Sequence, residues 1–220
     1  MALIEALAIG AGLAAVTLGA MKKIFPAGSG RVDRDTNLLR REMAGGSQEL
    51  IPLQKEELKQ LAYNREETKA KVEKLSYQRG QLFTVYYEPW AVYAHKSYTS
   101  IGKTVATTVV RTRNFEIVYK ERGHKNNVEI NGEFVGLLNG RELIGGKRMT
   151  TKLARIERRP ASEYWPIYVG GKEVGGLTNR ALTQQPLPRL FQFMGDMSRG
   201  ELAAVLAVVL PELFAEGKQT

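Results

Sequence analysis

The chain has 220 residues, a formal net charge of +9, no cysteine and only two histidines, His95 and His124. Disulfides, thiolate metal sites and cysteine nucleophiles are therefore excluded, and two distant histidines do not supply the usual zinc ligand sets. A hydrophobic content of 43% excludes a mostly disordered chain. The length accommodates one domain of about 140 residues with an anchor and a connector, and the basic balance favours anionic partners.

Residues 6–21 read ALAIGAGLAAVTLGAM without a charge. With Leu3 and Ile4 before the run and Lys22 and Lys23 after it, the segment predicts a transmembrane helix over 3–21. The two lysines reach the head groups. Glu5 precedes the run where a signal peptide carries positive charge. Lys22, Lys23, Arg31, Arg34, Arg40 and Arg41 follow it, so the positive-inside rule places the remainder in the cytoplasm. Small residues recur four apart at Ala6/Gly10, Ala8/Gly12 and Ala15/Gly19. This spacing lets another helix approach closely in lipid and marks Gly10, Gly12 and Gly19 as packing positions.

Residues 26–48 carry Pro26, Gly28, Gly30, Gly45 and Gly46 among charges, which is the composition of a linker. Residues 52–77 predict a charged helix that packs on the following domain or on a partner. Pro52 suits its first turn, and Glu56, Glu57, Glu66, Glu67, Lys69 and Lys71 suit a solvated face.

From Gln81 the pattern changes to that of half-buried strands: Phe83–Tyr87, Thr104–Arg113 and Phe115–Lys120. Ile130–Asn139 and Val169–Thr178 resemble each other about 39 residues apart. Asn131-Gly132 and Gly170-Gly171 predict type I′ hairpin turns, and Gly136 and Gly175 predict bulges or close backbone contact. Lys152–Arg159 predicts a further strand with Leu153 and Ile156 inward. Ser198-Arg-Gly-Glu201 is a capping box. The run Leu202–Leu210 (LAAVLAVVL) behind it is apolar on every side, so that helix must be buried.

This order of elements resembles the tubby-like C-terminal superfamily, which includes the LURP-one-related proteins and the phospholipid scramblases. The likeness rests on the two Gly-x-x-Val-Gly hairpins and the apolar run and covers about residues 82–216. It implies a closed β-barrel around a central hydrophobic helix. No tubby-type phosphoinositide pattern maps onto specific positions, and no scramblase-type calcium or palmitoylation segment is present, so neither activity is carried over.

The expected fold is therefore mainly β, antiparallel and barrel-like with a buried C-terminal apolar helix, plus an N-terminal transmembrane helix and a charged connecting helix. The expected divisions are an anchor at 1–25, a linker and charged helix at 26–80, and a β-rich cytoplasmic domain at 81–220. Neither histidine sits in a nucleophile motif, and no Walker loop, metalloprotease helix, kinase set or deaminase signature occurs, so no enzyme and no cofactor are expected. Arg111 with Arg113, and Lys147, Arg148, Lys152, Arg155, Arg158 and Arg159, are the candidate contacts to an anionic partner. The reading that follows is an accessory subunit of a larger membrane complex, a bioenergetic assembly such as a photosynthetic reaction centre being one home. Its expected partners are integral membrane proteins, not nucleic acid. The alternative is a membrane-tethered tubby-like module binding anionic phospholipids.

Overall fold

Every strand from Leu61 to Met194 pairs antiparallel with its successor, in the order β1 to β12. The computed structural model describes residues 29–46, 49–100, 103–123, 125–146 and 148–215. The strands are β1 (Leu61–Val72), β2 (Leu75–Thr84), β3 (Pro89–Ser100), β4 (Lys103–Thr112), β5 (Glu116–Arg122), β6 (Lys125–Ile130), β7 (Glu133–Asn139), β8 (Glu142–Gly145), β9 (Thr151–Ile156), β10 (Tyr164–Val169), β11 (Lys172–Thr178) and β12 (Phe191–Met194). The helices are α1 (Ser29–Glu42), the single turn α2 (Lys55–Leu58) and α3 (Arg199–Ala215).

The meander curls into a nearly closed barrel. Leu190 joins its two ends: its N–H donates to the carbonyl of Leu61 on β1 (2.6 Å), and its own carbonyl accepts from Thr178 on β11 (2.9 Å). Tyr63 N–H adds a bond to the Pro188 carbonyl (3.2 Å).

The helix α3 fills the lumen. Every residue from Leu202 to Leu210 is buried, as a helix without a polar face requires. It reaches strands on several sides: Tyr119 of β5 bonds to the Ala207 carbonyl, Arg65 of β1 to the Leu213 carbonyl, and Tyr93 of β3 packs on Phe214. Each Val or Leu so buried contributes about 1.5–3 kcal/mol. The capping box forms as expected: Glu201 N–H donates to Ser198 Oγ (3.2 Å), and Ser198 N–H to Glu201 Oε2 (2.7 Å). Pro211 does not end the helix, which continues to Ala215.

Both predicted hairpins are present. Asn131 and Gly132 adopt φ of +52° and +83°, and Gly170 and Gly171 +56° and +87°, as a type I′ turn needs. In each, the register shifts at the valine of the Val-Gly pair, Val135 before Gly136 and Val174 before Gly175. A Cβ on Gly136 would lie 2.2 Å from the Ile144 carbonyl oxygen.

Four expectations are corrected. Residues 61–77 are not helical but form β1 and the start of β2, so the boundary at 81 falls inside a strand. Pairing along ten registered positions of the hairpin outweighs the helix propensity of its charged residues. Residues 29–42 are not a linker but α1, whose Leu39, with Met43 just beyond, packs over Val92, Ala94, Val109 and Val118 on the outside of the barrel. The strand predicted over 83–87 stops at Thr84, and Tyr86 and Tyr87 belong to a turn. On β9 Ile156 is buried in the core as expected, but Ala154 accompanies it there, and Leu153 is only partly buried against that core. The anchor expected at 3–21, with Gly10, Gly12, Gly19, Lys22 and Lys23, lies outside the described residues, as do His124 and Lys147. Among the described residues no helix is long and apolar enough to cross a membrane.

Candidate functional site

Three polar regions surround the plugged barrel. The first closes its mouth at the C-terminal end of α3. Glu67 on β1, Gly80 on β2 and Tyr93 on β3 stand in register across three strands. The Tyr93 hydroxyl crosses over Gly80 and donates to Glu67 Oε2 (2.8 Å). A Cβ on Gly80 would lie 2.9 Å from that hydroxyl and 2.2 Å from the Glu66 carbonyl oxygen, so only glycine leaves the path open. Gln78 Nε2 also donates to Glu67 Oε2. Burial opposes the charge on Glu67. Hydrogen bonds from Lys69 and Tyr93, with the positive charges of Arg65 and Lys69, outweigh it and hold the carboxyl below its usual value. Burial and the Glu67 bond push the Tyr93 hydroxyl well up, so it stays a donor.

Three contacts fasten the last turn of α3 there. Arg65 Nη1 donates to the Leu213 carbonyl (2.6 Å), Arg141 Nη2 pairs with Glu212 (2.9 Å), and the Tyr93 and Phe214 rings pack at 4.7 Å. Cations at a helix C-terminus also complement its dipole. One register further along, His95 Nδ1 and Thr108 Oγ1 are 2.8 Å apart.

The second region is the outer face under α1. Arg40 and Arg111 grip the two oxygens of Glu116 (2.6 and 2.7 Å), Lys96 pairs with Asp35 (2.8 Å), and Lys120 bridges Asp33 and Glu129 (3.2 and 2.6 Å). The Tyr77 hydroxyl donates to Glu42, and burial together with that carboxylate pushes it up to about 12. Arg111 is thus part of the clamp on α1, and Arg113 donates to the Leu50 carbonyl (3.3 Å) rather than extending a free stripe.

The third region follows β8 to β10. Arg148 is exposed in a turn. Lys152 pairs with Glu142 (2.7 Å), and Arg159 with Glu157 (2.9 Å). Arg155 stacks on Tyr168 at 4.5 Å, and Arg158 on Trp165 at 5.1 Å. These cations are strung along β9, from Arg148 in the turn before it to Arg158 and Arg159 beyond its far end, and lie apart from the Arg111 group.

The sequence reading missed Glu67, Tyr93 and the Tyr86–Tyr87 turn. A glycine isolated among strand residues, Gly80, was the available signal for the first two. Tyr86 and Tyr87 are 66% and 61% exposed. Their turn is fixed by Thr84, whose hydroxyl accepts from the N–H groups of Tyr86 (3.1 Å) and Glu88 (3.2 Å), while Thr84 N–H donates to the Glu88 carbonyl (2.9 Å). A cleft of about 280 Å³ beside the seam is lined by Lys59, Arg189, Phe191, Gln192, Phe193 and Met194. Among the described residues no group of three His, Asp or Glu side chains could hold a metal ion. No family model matches the chain, and no curated protein or solved structure matches it.

Proposed function

We propose that the chain is a non-catalytic, single-pass membrane protein, an accessory subunit whose barrel lies on the cytoplasmic side of a membrane complex and binds through its outer surface. The observation that carries this reading is the rigid turn that displays two adjacent tyrosines, Tyr86 and Tyr87, to solvent. Tyrosine supplies large contact area with a polar tip at low entropic cost and is enriched among interface anchors. Two further features support it. The lumen is occupied by α3, which leaves binding to the exterior. The apolar run at 6–21 with its flanking lysines has the composition of an anchor.

Purification of the full chain from membranes in mild detergent tests this reading. Wild type is expected to bring integral membrane proteins in fixed stoichiometry, and Tyr86→Ala/Tyr87→Ala to lose them while keeping its fold. A wild-type protein that purifies alone overturns the subunit reading.

A further inference from the structure

We infer that the hairpin tips β1–β2 and β5–β6 face an anionic bilayer surface, with the Tyr86–Tyr87 turn at the opposite end of the barrel. The inference rests on the tether reading above and adds an orientation and a lipid chemistry to it.

The first observation is the course of α1. Asp33 and Asp35, near its start, meet Lys120 on β5, and Lys96 and Tyr98 on β3. These lie toward the tip ends of their strands. Arg40, near the end of α1, pairs with Glu116, which Arg111 also holds, and these two sit at the other ends of β5 and β4. The chain therefore enters the barrel beside the tips. Seven residue steps separate Lys22 from Ser29, a reach of at most about 25 Å. A 12-residue strand such as β1 is about 40 Å long. With Lys22 at the head groups, the tip end is the end the tether holds near them.

The second observation is charge. Lys71, Lys74, Arg122 and Lys125 are all exposed at these two tips and make no ion pair among the described residues. Glu73 and Glu121 are the acidic residues beside them. In sequence, the turns at the opposite end carry Glu88, Glu133 and Glu173 against Arg113, Lys147, Arg148 and Lys172, a smaller basic excess than the four cations against two acids at the tips. Basic side chains thus crowd the end that the tether brings to the membrane, where an anionic leaflet attracts them within a Debye length.

The chain has no native cysteine, so single cysteines report position cleanly. Lys125→Cys at the start of β6 and Glu133→Cys at the start of β7 mark the two ends of the barrel, one at a tip and one past the opposite turn. Each full-length variant carries a fluorophore and is reconstituted into phosphatidylcholine–phosphatidylserine vesicles with head-group nitroxide lipid. Quenching is expected to be several-fold stronger at 125 than at 133. The contrast should shrink in pure phosphatidylcholine, in high salt, and in Lys71→Glu/Lys74→Glu/Arg122→Glu. Equal or stronger quenching at 133 overturns the orientation while leaving the tether intact. A contrast indifferent to lipid charge overturns the anionic-lipid assignment. A protein that does not float with vesicles at all overturns the tether and this inference with it.

Discussion

The Tyr119 hydroxyl donates to the carbonyl of Ala207 (3.0 Å), which Pro211, four residues on, leaves without its helical N–H partner. Both Tyr119 and Ala207 are buried, so water does not take the place of the missing donor. One side chain of the barrel wall thereby allows a proline inside the helix that the wall encloses.

Tyr119→Phe should destabilise the fold by about 1–3 kcal/mol, the range for stranding a buried acceptor. In a Pro211→Ala background the backbone N–H of residue 211 returns, and the cost of Tyr119→Phe should fall. A double-mutant cycle in denaturant measures this coupling; full additivity would show that the two positions are independent.

Gly80→Ala should cost about 1–3 kcal/mol, because its Cβ meets a backbone carbonyl and the hydroxyl that crosses to Glu67. Gly45→Ala, with nothing within 4 Å of its Cβ, is the control and should be near neutral. Thermal unfolding of both variants makes the comparison, and equal shifts would refute the close approach.

The attachment of α1 should weaken in acid. Burial opposes the charge of Glu116, but the hydrogen bonds and charges of Arg40 and Arg111 prevail and lower its pKa from the ordinary 4.5. A carboxyl depressed in the folded state contributes stability above its unfolded pKa and loses it as pH falls through the lower folded value. Stability should therefore drop below about pH 4.5, with Glu67 acting in the same direction. Glu116→Gln should be less stable at neutral pH and less acid-sensitive, and hydrogen exchange in α1 reads out its release. An unchanged acid profile in that variant would remove Glu116 from the account.

Much of the architecture is legible in the residues. The hairpin turns at Asn131-Gly132 and Gly170-Gly171 announce themselves because few residues tolerate the left-handed backbone they need. The all-apolar run after Ser198 can be accommodated only in an interior. The first hairpin is not legible. Glu66, Glu67, Lys69 and Lys71 read as a solvated helical face, yet in β1 alternate residues share a face. Arg65 and Glu67 there close the barrel mouth over α3, a purpose that appears only once distant strands are assembled. The candidate cations show the same limit. Arg111 looks free in sequence and is spent on Glu116, whose grip from Arg40 comes 76 residues away in the chain.

Ser198→Ala should cost about 1 kcal/mol through loss of the cap at the start of α3. Helix content should persist in the variant, since burial on every side supports α3; circular dichroism with chemical denaturation separates the two effects.

The tether is the claim on which the subunit and lipid readings both stand. Cells producing the full chain can be broken, and their membranes washed with alkaline carbonate and floated on a density gradient. The account predicts that the chain stays with the floated membranes, its barrel protected from protease added outside intact cells. Recovery in the high-speed supernatant, or digestion of the barrel from outside, would contradict it.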